Sequence, residues 1–215
     1  MNISGENFNK FCEQLGERLK ATLPGTEAHL KMASRLRLQE MVNAYNTENA
    51  IKSAVLILFY LDKNKVSIPF ILRPDYNGVH SGQVAFPGGR YEKDDKSMIE
   101  TALREAQEEV NIDPNKVSIL GTLTNLYIPP SNYIVTPVVA FTETKPDFVR
   151  DPSEVAQIIE AEIDFLFNPD LRKEKIINVR GYEIEAPYFD IDNYVVWGAT
   201  AMMLSELTEV IESIN

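Results

Sequence analysis

Residues 88–112, GGRYEKDDKSMIETALREAQEEVNI, decide the fold. Two glycines open the stretch, a charged loop follows, and then Ile99, Ala102, Leu103, Ala106 and Val110 recur three and four positions apart, the spacing of a helix with one apolar face. On the opposite face the same spacing stacks Glu105, Glu108 and Glu109 at i, i+3 and i+4. Like charges so placed weaken a helix, and their repulsion grows as the dielectric falls. A hard cation resolves that conflict, because carboxylate oxygens are its preferred ligands. A glutamate-rich helix is by default a solvated face. Here a glycine turn at a fixed distance before it and an apolar face behind it set it apart.

Working outward, residues 53–60 (SAVLILFY) are an apolar, β-branched and aromatic strand, followed by a turn at 62–65 and a second strand at 66–73 (VSIPFILR). The pair predicts a hairpin, with Pro69 at an edge or bulge because it cannot donate to a central ladder. Residues 83–86 are short and extended, and Pro87, Gly88 and Gly89 turn the chain. Downstream, residues 117–124, 134–142 and 161–167 are strand candidates, the last as a strand leading into a short turn. The first two are separated by a turn-rich loop at 127–133, and residues 151–155 form a loop or helix start. Residues 173–188 predict a second hairpin around Arg180 and Gly181. Residues 196–200 lead into a C-terminal amphipathic helix carrying Ala201, Leu204, Leu207, Val210 and Ile211. At the other end, Phe8, Phe11, Cys12, Leu15 and Leu19 mark an amphipathic helix within 5–22, packed on the domain or on a partner. Residues 26–46, with His29, Met32, Arg35, Arg37 and Met41, predict a lid or irregular connection with some helix. Strands and helices interspersed in this way give an α/β or α+β class, a mixed sheet flanked by helices.

A chain of 215 residues holds one main domain, with room for a small appendage. A formal charge of -11 opposes general attraction to nucleic acid or anionic membrane, since both require basic surface. A phosphate-bearing substrate would therefore need a metal or a local basic cluster. Cys12 is the single cysteine, which excludes an internal disulfide and a cysteine metal site. No apolar run approaches the roughly 20 residues of a spanning helix, and residues 1–14 lack the pattern of a signal peptide. The expectation is a cytoplasmic protein.

The segment 89–112 resembles the Nudix box: Gly, five residues, Glu, seven residues, then Arg-Glu-aliphatic-x-Glu-Glu-x-Gly-aliphatic. Residues 104–112 (REAQEEVNI) match its end, with Asn111 in the place of Gly; Asn also tolerates the left-handed conformation of a helix C-terminus. Upstream, Gly89 to Arg104 is fifteen positions instead of fourteen, and Asp94 or Asp95 takes the place of the first Glu. The resemblance implies Mg²⁺ or Mn²⁺ held by Glu105, Glu108 and Glu109, with the Gly89 carbonyl, or that of Gly88, a further ligand. It also implies that Arg104 orients the glutamates; its ordinary reading, a surface ion pair, is worth little.

Residues 72–74 (LRP) and 80–89 (HSGQVAFPGG) resemble the additional motif of coenzyme A pyrophosphatases within the Nudix family. Arg73, Gly82 and 86–89 fit that motif, while Gly78 stands where a second Arg is usual. Arg73 either contacts substrate phosphate, which guanidinium matches bidentately, or neutralises the acidic helix. The resemblance implies that His80 hydrogen-bonds substrate or Gln83, the ordinary reading of a lone His near a turn being structural, and that Gly82 and Gln83 belong to the same substrate-binding segment. The resemblance extends over residues 50–210. It makes Glu154 a general base or extra metal ligand, with Glu105 the other candidate base. Trp197 opens an apolar helix and is read as a core residue in preference to a stacking platform.

What it implies is a Nudix-type α/β/α sandwich with a mixed sheet, residues 1–48 being a helical extension packed on the domain and 49–215 the hydrolase domain. The implied substrate is coenzyme A or an acyl-CoA, cleaved to 4'-phosphopantetheine or its acylated form and adenosine 3',5'-bisphosphate. The alternatives are ADP-ribose, a dinucleotide or an NTP as substrate, or a non-catalytic Nudix-like binding module. Homodimers are frequent in that family, and the apolar face of the N-terminal helix is offered for one.

Overall fold

Three helices open the chain in the computed structural model, which describes residues 3, 5, 7–40, 47–75, 80–179 and 181–214. They are α1 (Phe8–Leu19), α2 (Thr26–Leu30) and α3 (Arg35–Glu40). The hairpin β1 (Ile51–Asp62) and β2 (Lys65–Leu72) comes next, turning through Lys63 and Asn64 at positive φ, followed by β3 (Val84–Ala85) and β4 (Gly88–Arg90). Then come α4 (Met98–Val110), β5 (Ser118–Thr122), β6 (Leu126–Ile128), β7 (Tyr133–Phe141) and β8 (Gln157–Glu162). The chain closes with β9 (Arg172–Val179), β10 (Tyr182–Ile191), β11 (Tyr194–Trp197) and α5 (Gly198–Glu212).

The axis of the molecule is β1. It runs parallel to β7 from Ile51↔Tyr133 to Phe59↔Phe141 and antiparallel to β2 and β4, so the sheet is mixed. Its unbroken apolar sequence follows from burial on both faces. Ala54, Leu56 and Leu58 pack with Ala102, Ala106 and Val110 of α4, whereas Ile57 and Phe59 pack with Phe11, Leu15, Leu204 and Leu207 of α1 and α5. Helices thus cover both faces of the sheet. Each fully buried Leu, Ile or Phe contributes about 1.5–3 kcal/mol. β9, β10 and β11 form a separate antiparallel sheet.

The apolar face of α1 is used within the chain: Phe8 meets Phe141 edge-on at 5.9 Å between ring centroids, and Phe11 meets Phe59 at 5.6 Å. Phe8, Phe11, Cys12, Leu15 and Leu19 are all buried there, so that face is not available to a second copy. Between α2 and α5, Glu206 is fully buried and accepts hydrogen bonds from Gly25 N–H at 3.0 Å and Thr124 Oγ1 at 2.6 Å, with His29 Nε2 at 2.9 Å. Burial alone would raise its carboxyl, but the bonds from His29, Thr124 and Gly25 outweigh burial and hold it below the usual range.

Three expectations are corrected. Over 161–167 the expected strand stops at Glu162 and the turn takes the larger share: Ile163–Phe167 is a 3-10 turn that buries Ile163, Phe165 and Leu166. Pro87, Gly88 and Gly89 are not simply a turn, because Gly88–Arg90 is a strand paired with Ser53, Ala54 and Val55. The 127–133 loop contains β6. Pro69 is accommodated as expected: it pairs with Glu160 of β8 beyond the last β1 partner, Ser67↔Tyr60. Gly78, Met41 and Arg180 lie outside the described residues. No helix of the described residues is long and apolar enough to cross a membrane.

Candidate active site

The site is built on α4. Ser97 caps its N-terminus, accepting from Glu100 N–H at 3.2 Å, and Asn111 ends it in the left-handed conformation at φ 62°. Such an N-cap is worth about 1 kcal/mol. With its apolar stripe fixed against β1 and β7, the helix turns Glu105, Glu108 and Glu109 toward β4 and the surface. They grade from buried to open: the side chains of Glu109, Glu105 and Glu108 are 2%, 13% and 56% exposed.

β4 lies against this face because its first two residues lack side chains. A Cβ on Gly88 would stand 2.3 Å from Ala54 O and 2.6 Å from Val55 Cα, so only glycine lets β4 pair there. A Cβ on Gly89 would stand 2.4 Å from the Glu105 carboxyl carbon. The missing side chains leave room for the glutamates, and Gly88 N–H donates to Glu109 Oε2 at 2.8 Å. Burial pushes the Glu109 carboxyl up to about 8 against the pull of Gly88 N–H and Arg73, with the charges of Glu105 and Glu154 adding to the rise. Burial also raises Glu105, and Glu108 and Glu154 reinforce it against the attraction of Arg104.

Arg104 is the hub of the exposed side. Its guanidinium donates to Glu105 Oε1 and Glu108 Oε2, each at 3.0 Å, to Arg90 O at 2.9 Å, and to Asp95 through Nε and Nη2 at 3.0 and 3.1 Å. Asp95, left undecided with Asp94 from sequence, is the buried member of that pair. It also accepts from Thr101 Oγ1 and Glu92 N–H, both at 2.9 Å. The Arg104 hydrogen bonds, helped by those of Glu92 and Thr101, bring its carboxyl down to about 2. The signal that could have singled it out is its place six positions after Gly89, where the Nudix pattern has Glu.

Of the approach segment, Arg73 reaches the glutamates: its Nη2 is 4.0 Å from Glu109 Oε1. Arg73 N–H donates to Gln83 O at 3.0 Å, Gly82 N–H to Pro74 O at 3.3 Å, and His80 Nδ1 lies 3.1 Å from Gln83 Oε1. The segment therefore doubles back on itself to bring Arg73 in. Glu154 sits on the exposed loop after β7, and its charge acts on both Glu105 and Glu109. Trp197 is half-buried where β11 meets α5.

Among the described residues no three His, Cys, Asp or Glu side chains converge on one point. Arg104 draws Glu105 and Glu108 to itself, and Gly88 N–H holds Glu109. The donor set nonetheless fits a hard divalent ion: three carboxylates from one helix face, two with raised carboxyls, with Glu105 laid against the Gly89 backbone where a Cβ would collide with it.

A mixed sheet that presses a glutamate-faced helix against a strand opening on two glycines is the arrangement that the resemblance to the Nudix box leads one to expect. Comparison with known proteins gives the family. The NUDIX domain profile matches residues 50–175. A Photorhabdus laumondii relative named uncharacterized Nudix hydrolase NudL is 33% identical over 161 residues, 75% of this chain and 86% of that protein. A Yersinia pestis protein of the same name is 35% identical over 154 residues, 67% and 77% of the two chains. The crystal structure of RenU, a Nudix hydrolase from M. smegmatis, superposes with a TM-score of 0.55 at 15% identity over 77% of this chain and 88% of that one, which speaks for the fold. This chain belongs to the Nudix hydrolase family.

Proposed function

We propose that the chain hydrolyses the diphosphate of coenzyme A or an acyl-CoA, releasing 4'-phosphopantetheine or its acylated form and adenosine 3',5'-bisphosphate. The observation that supports this reading is the Arg73 guanidinium, 4.0 Å from Glu109 and carried there by the segment whose residues resemble the coenzyme A pyrophosphatase motif. In a chain with a net charge of -11, a cation at the edge of a carboxylate cluster suits a substrate whose anionic groups lie beside the metal.

In this reading Glu105, Glu108 and Glu109 hold Mg²⁺ or Mn²⁺, with the Gly89 carbonyl as a further ligand. The bound ion would supply Lewis acidity at phosphorus and a lowered pKa for water. Arg104 keeps Glu105 and Glu108 in place through its anchor on Asp95. Glu154 or Glu105 accepts the proton of the attacking water, Glu154 being the more exposed of the two. Arg73 binds phosphate oxygens, while His80, Gly82 and Gln83 shape the loop beside it.

The test is a panel of coenzyme A, an acyl-CoA, ADP-ribose, NADH and dNTPs, each with Mg²⁺ and with Mn²⁺. The reading expects kcat/KM to be highest for coenzyme A or the acyl-CoA. Higher kcat/KM for ADP-ribose, NADH or a dNTP would replace that substrate while keeping the family chemistry.

A further inference from the structure

The last turn of α4 and the loop after β7 are stitched together at three places. Asp151 N–H donates to Glu109 O at 2.9 Å and Val149 N–H to Val110 O at 3.3 Å, filling carbonyls that a helix end leaves open. The third stitch comes from a side chain: Asn111 Nδ2 donates to Asp147 O at 3.0 Å. Beyond the stitches the loop folds tightly. Asp151 Oδ1 accepts from Ser153 N–H at 2.8 Å and from Ser153 Oγ at 2.7 Å, and Asp151 O accepts from Val155 N–H at 2.8 Å. Val155 is fully buried beside Ala106 and Val110. Glu154 is carried between that turn and that anchor, with its charge acting on Glu105 and Glu109.

Both ends of the loop are anchored. Val155 seals the far end in the core. On the near side Phe148 meets Tyr60 edge-on at 5.4 Å between ring centroids and Lys145 pairs with Asp62 and Glu160, while Asp147 borders a cavity of about 390 Å³ also lined by Asn111, whose amide ties Asp147 to the end of α4. We infer that Asn111 is a positioning residue, whose side-chain amide fixes the loop that sets Glu154 against the metal-binding face. A glycine at 111 would satisfy the left-handed φ equally well, but it would have no group to reach Asp147. This inference rests on the reading that Glu154 takes part in the reaction.

The experiment separates the two. Asn111→Gly keeps the helix end and removes the amide, and Asn111→Asp keeps size and left-handed tolerance but turns an oxygen toward the Asp147 carbonyl. Both are measured, alone and combined with Glu154→Gln, for kcat and KM on the panel member turned over fastest and for Tm. Losing one such hydrogen bond predicts about a fivefold fall in kcat with KM close to wild type, and Tm lower by about 2–4 °C. No further fall is expected in the Glu154→Gln background. Wild-type activity of Glu154→Gln would overturn the Glu154 reading and the inference with it. An impaired Glu154→Gln beside a fully active Asn111→Gly would overturn the inference alone. So would an equal fall from Asn111→Gly in both backgrounds, since the amide would then act through something other than Glu154.

Discussion

Replacing Asp95 by Asn removes the anchor of the whole exposed side of the site. The carboxylate accepts from Arg104 Nε and Nη2, from Thr101 Oγ1 and from Glu92 N–H, and its carboxyl lies at about 2 instead of 3.8. That difference corresponds to about 2.4 kcal/mol of stability near pH 7. Asn preserves the shape but turns one acceptor oxygen into a donor among donors and leaves the Arg104 charge without its strongest partner. For a chain of this size the loss lowers Tm by about 5–10 °C. The sign with pH follows from the depressed folded-state value: the contribution is fully present above the unfolded value of 3.8 and is lost as pH falls through about 2. Arg104, pushed further upward by the same pair, stays charged throughout. Urea unfolding of wild type and Asp95→Asn, followed by the single Trp197 between pH 7 and pH 2, should show a gap that is constant down to about pH 5 and closes toward pH 2. Turnover should drop about tenfold as Glu105 and Glu108 lose a fixed guanidinium. Equal stabilities near pH 7, or a gap that survives at pH 2, would refute the assignment.

Gly89→Ala should leave Tm within a few degrees, because a Cβ there meets the movable end of Glu105, yet turnover should fall at least about tenfold as that carboxylate is displaced. Gly88→Ala should do the reverse of a local change: its Cβ meets Ala54 O and Val55 Cα, so β4 separates from β1 and denaturant unfolding should show a loss of about 1–3 kcal/mol or more. Glu206→Ala, remote from the site, strands His29, Thr124 and Gly25 N–H in the core and should cost about 3–5 kcal/mol in the same assay.

The central strand and the site helix were legible because burial leaves periodic marks. β1 is apolar from Ala54 to Leu61, the stretch that lies between the two helix layers, and α4 separates its alanines from its glutamates by spacing alone. Pairings between distant positions left no such mark. His29 and Glu206 are 177 residues apart, and nothing local in either segment announces the bond. Asp95 is favoured over Asp94 by a count of six positions from Gly89, but one extra residue before Arg104 blurs that register, and burial decides the matter. The turn expected within 161–167 begins already at Ile163, a boundary that composition does not mark, because an apolar run reads alike in a strand and in a 3-10 turn. The glycines at 88 and 89 were read as a turn, their commonest use, when what they permit is close approach of β4 to β1 and to Glu105. Asn111 was read for its backbone alone, and its side-chain bond to Asp147 depends on a loop folded 36 residues downstream.

The most direct test of the account is coenzyme A incubated with Mg²⁺ and either wild type or Glu108→Gln, with products separated by mass. Glu108 is the most exposed of the three glutamates, so its substitution leaves the core untouched. The account predicts 4'-phosphopantetheine and adenosine 3',5'-bisphosphate from wild type, a rate at least about a hundredfold lower from the variant, and unchanged circular dichroism. Intact coenzyme A after incubation with wild type, or equal rates from the two proteins, would contradict it.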